Sequence, residues 1–183
     1  MYKVVILIAI CFAACHAAPG GVFCGETPKN LFRCLTAPLL VSDEATTKCR
    51  STSGQCERIN CLFRESKWWS GDAVDKVKFA TFLNEYGKKN PQWVPTIEHA
   101  KTACLGETLK PQGTDLNCPT FDITHCVYVS FIRFASASSW STADDCSNAR
   151  EFARSCPVCP TDCYATAIPI GSCNACYYGP TSS

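Results

Sequence analysis

Two Cys-x-x-Cys pairs near the end of the chain, Cys156 with Cys159 and Cys173 with Cys176, have the spacing that lets four thiolates close on a zinc ion. That chemistry needs reduced sulfur. The chain has 16 cysteines, and it opens on Met1-Tyr2-Lys3 followed by the apolar run VVILIAICFAA and the small residues near Cys15-His16-Ala17. A short basic start, an apolar core and small residues at the expected cut describe a secretory signal peptide over residues 1–17, and a secreted, extracellular protein. Its removal leaves fourteen cysteines, an even number, in an oxidising compartment. Cys163 lies between the two pairs, and ten cysteines outside them also need partners. Disulfides are therefore the stronger reading, and no metal is expected.

Catalytic chemistry is poorly provided for. Beyond the leader there are two histidines, His99 and His125. The sequence has no Gly-x-Ser-x-Gly elbow, no His-Glu-x-x-His and no phosphate loop. Asp144 and Asp145 are neighbours in sequence and read as charges at a helix start rather than as an acid–base pair. The expectation is a protein that is not an enzyme and takes no cofactor. With 17 basic and 16 acidic residues, the formal charge of +1 argues against a nucleic-acid partner or a polybasic membrane surface. The apolar run at the start is shorter than the ~20 residues a membrane span requires.

These residues must be positioned by short elements. A helix is expected around Leu31–Leu35, and Ser42 or Asp43 could cap a weak helix after it. Gln55 to Arg64 reads as a further helix carrying Cys56 and Cys61. The interval from Cys61 to Cys104 is the longest between neighbouring cysteines. After the turn KWWSG, Asp72 can cap a helix whose stripe is Val74, Phe79, Phe82, Leu83 and Tyr86, with Gly87 ending it. A second helix from near Pro95 to Gly106 puts Ile97, Ala100, Cys104 and Leu105 on one side, making an antiparallel hairpin. In CVYVSFIRFA the strand and helix templates compete, and the helical surroundings favour helix for Tyr128, Phe131, Ile132 and Ala135. Ser141 with Asp144 resembles a capping box before a helix that Pro157 terminates. The tail is an irregular cross-linked flap.

The aromatic set Trp68, Trp69, Phe79, Phe82, Tyr86 and Trp93 is concentrated in the long interval. A filled core and the wall of a small-molecule cavity use the same residue types. Periodicity does not separate them.

Cys61 followed by an amphipathic helix, a turn, a Trp-containing second helix and Cys104, with Cys118 and Cys126 within one helix of each other, resembles the insect odorant-binding proteins. The additional cysteines and the Cys156-Pro157 pair look like that family's enlarged Plus-C branch. The resemblance implies an all-α, disulfide-cross-linked domain of six to seven helices over residues 18–157, with an irregular cysteine-rich extension over 158–183 packed on it. It also implies the pairings Cys34–Cys61, Cys56–Cys118 and Cys104–Cys126. The implied function is non-covalent carriage of small hydrophobic molecules (odorants, pheromones or other semiochemicals) in an internal apolar pocket, as in olfaction. Trp69, Phe79, Phe82, Leu83, Tyr86, Trp93, Ile97, Tyr128, Phe131 and Ile132 would be its ligand-binding residues. Partners would be the ligand and a chemosensory receptor, with the protein a monomer or homodimer. The rival is a secreted cysteine-rich inhibitor or effector that binds a protein partner and has no ligand cavity.

Overall fold

A computed structural model of the chain describes residues 24–114, 116–168 and 173. The expected leader, Cys176 and most of the chain after residue 168 lie outside them. The described chain is an all-α domain of seven helices, stapled by six disulfides among the described residues and ending in an irregular cysteine-rich segment. The helices are α1 (Leu31–Cys34), α2 (Asp43–Lys48), α3 (Gln55–Glu65), α4 (Lys76–Lys89), α5 (Val94–Cys104), α6 (Pro119–Arg133) and α7 (Ser147–Ser155). Helix α6 is the hub, packing against α3, α5 and α7, while α4 backs α5 and α1 lies on α7.

Local chemistry explains most of the boundaries. Ser42 is the cap of α2, its hydroxyl accepting from the Ala45 N–H at 3.2 Å. Pro119 opens α6, where its missing N–H costs nothing, and Val127, Phe131 and Ile132 turn that helix's helical stripe inward. The segment is helical through Arg133, as its neighbours suggested, but Phe134 caps the helix and Ala135 lies beyond its end.

Three local expectations are corrected. Helix α4 starts at Lys76 and not at Asp72, with the Asp75 carboxylate accepting from Lys78 N–H at 2.9 Å. The preceding residues form a hairpin, β1 (Trp69–Ser70) against β2 (Ala73–Val74), turned by Gly71 at φ +58°. Val74 therefore belongs to a strand. Gly87 does not end α4 but sits buried inside it, because α5 passes close by: a Cβ there would lie 3.1 Å from Ile97 Cδ1 and 3.3 Å from Val94 Cγ2. The Ser141–Asp144 box is also absent. Residues Asp144–Cys146 form a 3-10 turn leading into α7, and the Ser141 hydroxyl instead accepts from Ala143 N–H at 3.2 Å.

The disulfides fix the register of the bundle. Cys56–Cys118 ties α3 to the start of α6, and Cys104–Cys126 ties α5 to its middle. The expected Cys34–Cys61 pairing is overturned. Leu35 bridges Trp140, and Ser141 N–H donates to Cys34 carbonyl at 2.7 Å, so Cys34 is carried to Cys146. Cys61, on α3 against α2, takes Cys49. Cys24–Cys156 and Cys163–Cys173 complete the set. With Cys159 also disulfide-bonded, three of the four sulfurs that could have formed a zinc ribbon are spent.

Two outcomes test this layout. A non-reduced peptide map should recover Cys34–Cys146 and Cys49–Cys61, and recovery of Cys34–Cys61 would refute the arrangement of α1. Phe79→Ala, which removes a buried ring from the centre of an aromatic cluster, should cost about 3–5 kcal/mol, read as a lowered urea midpoint.

Candidate functional site

The ten sequence-selected residues divide into three groups. Phe79 and Phe82 belong to an aromatic cluster with Phe63 and Trp68, where ring centroids are 4.7–6.3 Å apart, and Leu83 is fully buried in the same core. Trp93 contacts Phe131 at 5.1 Å, with Ile97 and Ile132 buried in that core as well. These side chains touch one another. Trp69 and Tyr86 are half-buried at the core's margin, and Arg64 lies over the Trp69 ring at 4.7 Å. Tyr128 stands apart from both groups. It is 37% exposed and leans against Phe32, which is 44% exposed, with ring centroids 5.0 Å apart.

Tyr128 marks the place where three recesses meet. One, of about 500 Å³, is walled by α1 and the chain after it: Phe32, Leu35, Ala37, Pro38 and Leu39. A second, of about 220 Å³, lies between α3 and α6 and is walled by Gln55, Ile59, Phe121, Thr124 and His125. The third, of about 260 Å³, shares Phe121 and His125 and is closed by Val158, Cys159 and Pro160. Together they make a furrow along the outer side of α6. The largest recess falls within the range usual for small-molecule sites, ~300–1,000 Å³.

Each wall is held by a cross-link a few residues away. Cys34–Cys146 holds Phe32, Cys56–Cys118 holds Gln55, Ile59 and Phe121, and Cys24–Cys156 holds the Val158 segment.

Its polar groups are few and specific. His125 Nε2 lies 3.1 Å from the Val158 carbonyl oxygen, which can only accept, so the Nε2–H donates and Nδ1 remains an acceptor in the neutral ring. Burial lowers the His125 pKa, outweighing the Val158 bond and the nearby Asp122 carboxylate, which both pull it upward. Burial pushes the Tyr128 phenol up to about 12, so its hydroxyl stays protonated. Gln55 and Thr124 add an amide and a hydroxyl, and the Thr124 hydroxyl donates to the Thr120 carbonyl at 2.7 Å.

Sequence reasoning missed Phe32, Gln55, Ile59, Phe121 and His125. One signal was present: Phe121, His125 and Tyr128 stand at i, i+4 and i+7, a second stripe on α6 beside the one that carries Val127 and Phe131. The two histidines have different neighbours: His99 lies against Phe134 with tilted rings and centroids 3.8 Å apart, whereas His125 stacks on Phe121 at 6.0 Å. Among the described residues no group of three or more His, Cys, Asp or Glu could hold a metal ion, and no helix is long and apolar enough to cross a membrane. No family model matches the chain, and no curated protein is significantly similar to it.

His125 makes the furrow's rim sensitive to pH. Its folded pKa is depressed, so the unfolded chain binds the proton more readily. Stability is then complete above the ordinary histidine value of about 6.5 and falls as pH drops below it towards the folded pKa. Melting temperatures from pH 7.5 to pH 5 should show this decline, and His125→Gln should flatten it. A variant that keeps the full slope would place the titrating group elsewhere.

Proposed function

We propose that the protein is a secreted, non-catalytic carrier of small apolar molecules, similar in role to the odorant-binding proteins, and that it holds its ligand in the Tyr128 furrow. The observation that carries this reading is the union of three recesses at one aromatic side chain, with Phe32, Phe121 and Ile59 as apolar walls. Apolar ligand surface laid there leaves water at ~25 cal/mol per Å². The Tyr128 hydroxyl as donor and His125 Nδ1 as acceptor would orient a single polar group. A semiochemical with a carbonyl or hydroxyl on a hydrocarbon frame has that composition, and release to a chemosensory receptor would be the downstream step.

This reading moves the ligand from the interior to the outer side of α6. Phe79, Phe82, Leu83, Trp93, Ile97, Phe131 and Ile132 then act as the support on which α6 is seated. The exposed rim residues Phe32, Leu39 and Tyr128 also suit the rival reading, an aromatic patch that docks a protein partner. The size of the largest recess, about 500 Å³, favours the small-molecule reading.

A neutral naphthylamine fluorophore added to oxidised protein should bind with micromolar affinity and be displaced by medium-chain ketones and alcohols. Tyr128→Ala should weaken the probe about tenfold, equivalent to ~1.4 kcal/mol, while Phe82→Ala should lower stability and leave affinity unchanged. Loss of binding only in Phe82→Ala would return the ligand to the interior. Absence of any displaceable binding would sink the carrier reading and leave the protein-docking one.

A further inference from the structure

A further recess, which shares no lining residue with the Tyr128 furrow, has a different chemistry. It measures about 210 Å³ and lies where the C-terminal turns of α6 and α7 meet. Arg133, Arg150 and Arg154 stand around it, over a floor that includes Ile132, Ala153 and Trp140. Arg133 Nη1 donates to the Cys156 carbonyl at 3.1 Å, and Arg150 Nη1 donates to the carbonyls of Ser141 and Ala143. Those bonds steady two of the guanidinium groups and leave most of their N–H donors unspent, since each guanidinium carries five. Among the described residues none of the three arginines is within 4.0 Å of a carboxylate. Of the acids near them in sequence, Asp145 pairs with Arg33, Glu151 accepts from the Ser155 hydroxyl, and Asp144 forms no ion pair with any of the three.

A bland account covers part of this. Arg133 and Arg154 each sit in the last turn of a helix, where a cation is favoured by the carbonyl end. One cation per helix end would satisfy that demand. It does not account for Arg150, one turn earlier on α7 and at the same recess, nor for three like charges gathered over an apolar floor. Such a cluster repels itself in the empty protein, and an anion relieves the repulsion. Guanidinium forks match the two oxygens of a carboxylate or phosphate, and the apolar floor suits a ligand with a hydrocarbon part.

We infer that this recess binds an organic anion: a compact apolar body carrying one carboxylate, with its oxygens among the three arginines and its apolar part on Trp140. The probe is hexanoate, with 1-hexanol and inorganic phosphate as companion arms, and the readout is the indole N–H resonance of Trp140, assigned with Trp140→Phe. Hexanoate should shift that resonance saturably. Hexanol and phosphate should each bind at least tenfold more weakly, and added salt should weaken hexanoate. Arg154→Gln, at an exposed side chain with no hydrogen bond in the described structure, should weaken hexanoate severalfold with an unchanged melting temperature. The double variant Arg133→Gln/Arg154→Gln should weaken it at least tenfold. The inference is overturned if hexanol matches hexanoate, if phosphate alone matches it, or if both arginine variants bind hexanoate as the wild type does.

Discussion

Short helices do not hold together on their own, and every other property of this domain follows from how that is solved. Helix α1 has 4 residues, α2 has 6 and α7 has 9, each below the length at which an isolated helix is stable in water. Disulfides take over the task. Cys34–Cys146 closes a separation of 112 residues and Cys24–Cys156 one of 132, so the N-terminal segment is bound to α7 and to the chain just after it. Joining distant points removes more freedom from the unfolded chain than joining near ones, in the chain-entropy account of such bonds. The helices between them need only fill the space. They do so around α6, whose inner stripe meets α5 along most of its length.

That division of labour frees the outer side of α6. Phe121 is buried there, while Tyr128 is left partly exposed. Here the neighbours α1, α3 and the Val158 segment are fastened at the rim and stop short of covering it. The result is a groove with mixed apolar and polar walls, each tied down by a nearby disulfide. Its polar groups are tuned by the same geometry: burial keeps His125 neutral near pH 7 and keeps the Tyr128 phenol protonated. An acceptor and a donor are thereby presented without a net charge, which suits an uncharged ligand. The arginine recess at the other end of α6 presents the opposite condition, three charges and a hydrocarbon floor.

Much of the fold was legible because its signals are local. The Ser42 cap, the stretch from Gln55 and the helical stripe through Phe131 and Ile132 depend on residues within one or two turns. The misses have long-range causes. Gly87 looked like a helix terminator, yet its missing side chain serves the approach of α5. Asp72 and Asp75 are both competent caps, and the choice between them was made by the hairpin that Gly71 allows. The resemblance placed Cys56–Cys118 and Cys104–Cys126 as the structure has them, but Cys34 went to Cys146 because the Leu35–Trp140 bridge sets its neighbours. No spacing in the chain encodes that bridge.

The site was less legible than the fold, and α6 shows why. A helix buried on one side gives a strong periodic signal for that side, and a reader looking for apolar residues finds it first. Val127, Phe131 and Ile132 are such residues, and they are packed. Phe121, His125 and Tyr128 stand at i, i+4 and i+7 on an adjacent side, a row that Ile132 continues, but His125 breaks the apolar pattern and hides the stripe. Its partners across the furrow, Phe32 and Ile59, come from helices joined to α6 only by folding and by cysteine bonds. A mixed stripe of aromatic residues and one titratable group on an otherwise buried helix is therefore the more informative pattern. A uniformly apolar stripe marks packing alone, whereas an aromatic stripe interrupted by a hydrogen-bonding side chain marks the margin where packing gives way to a recess.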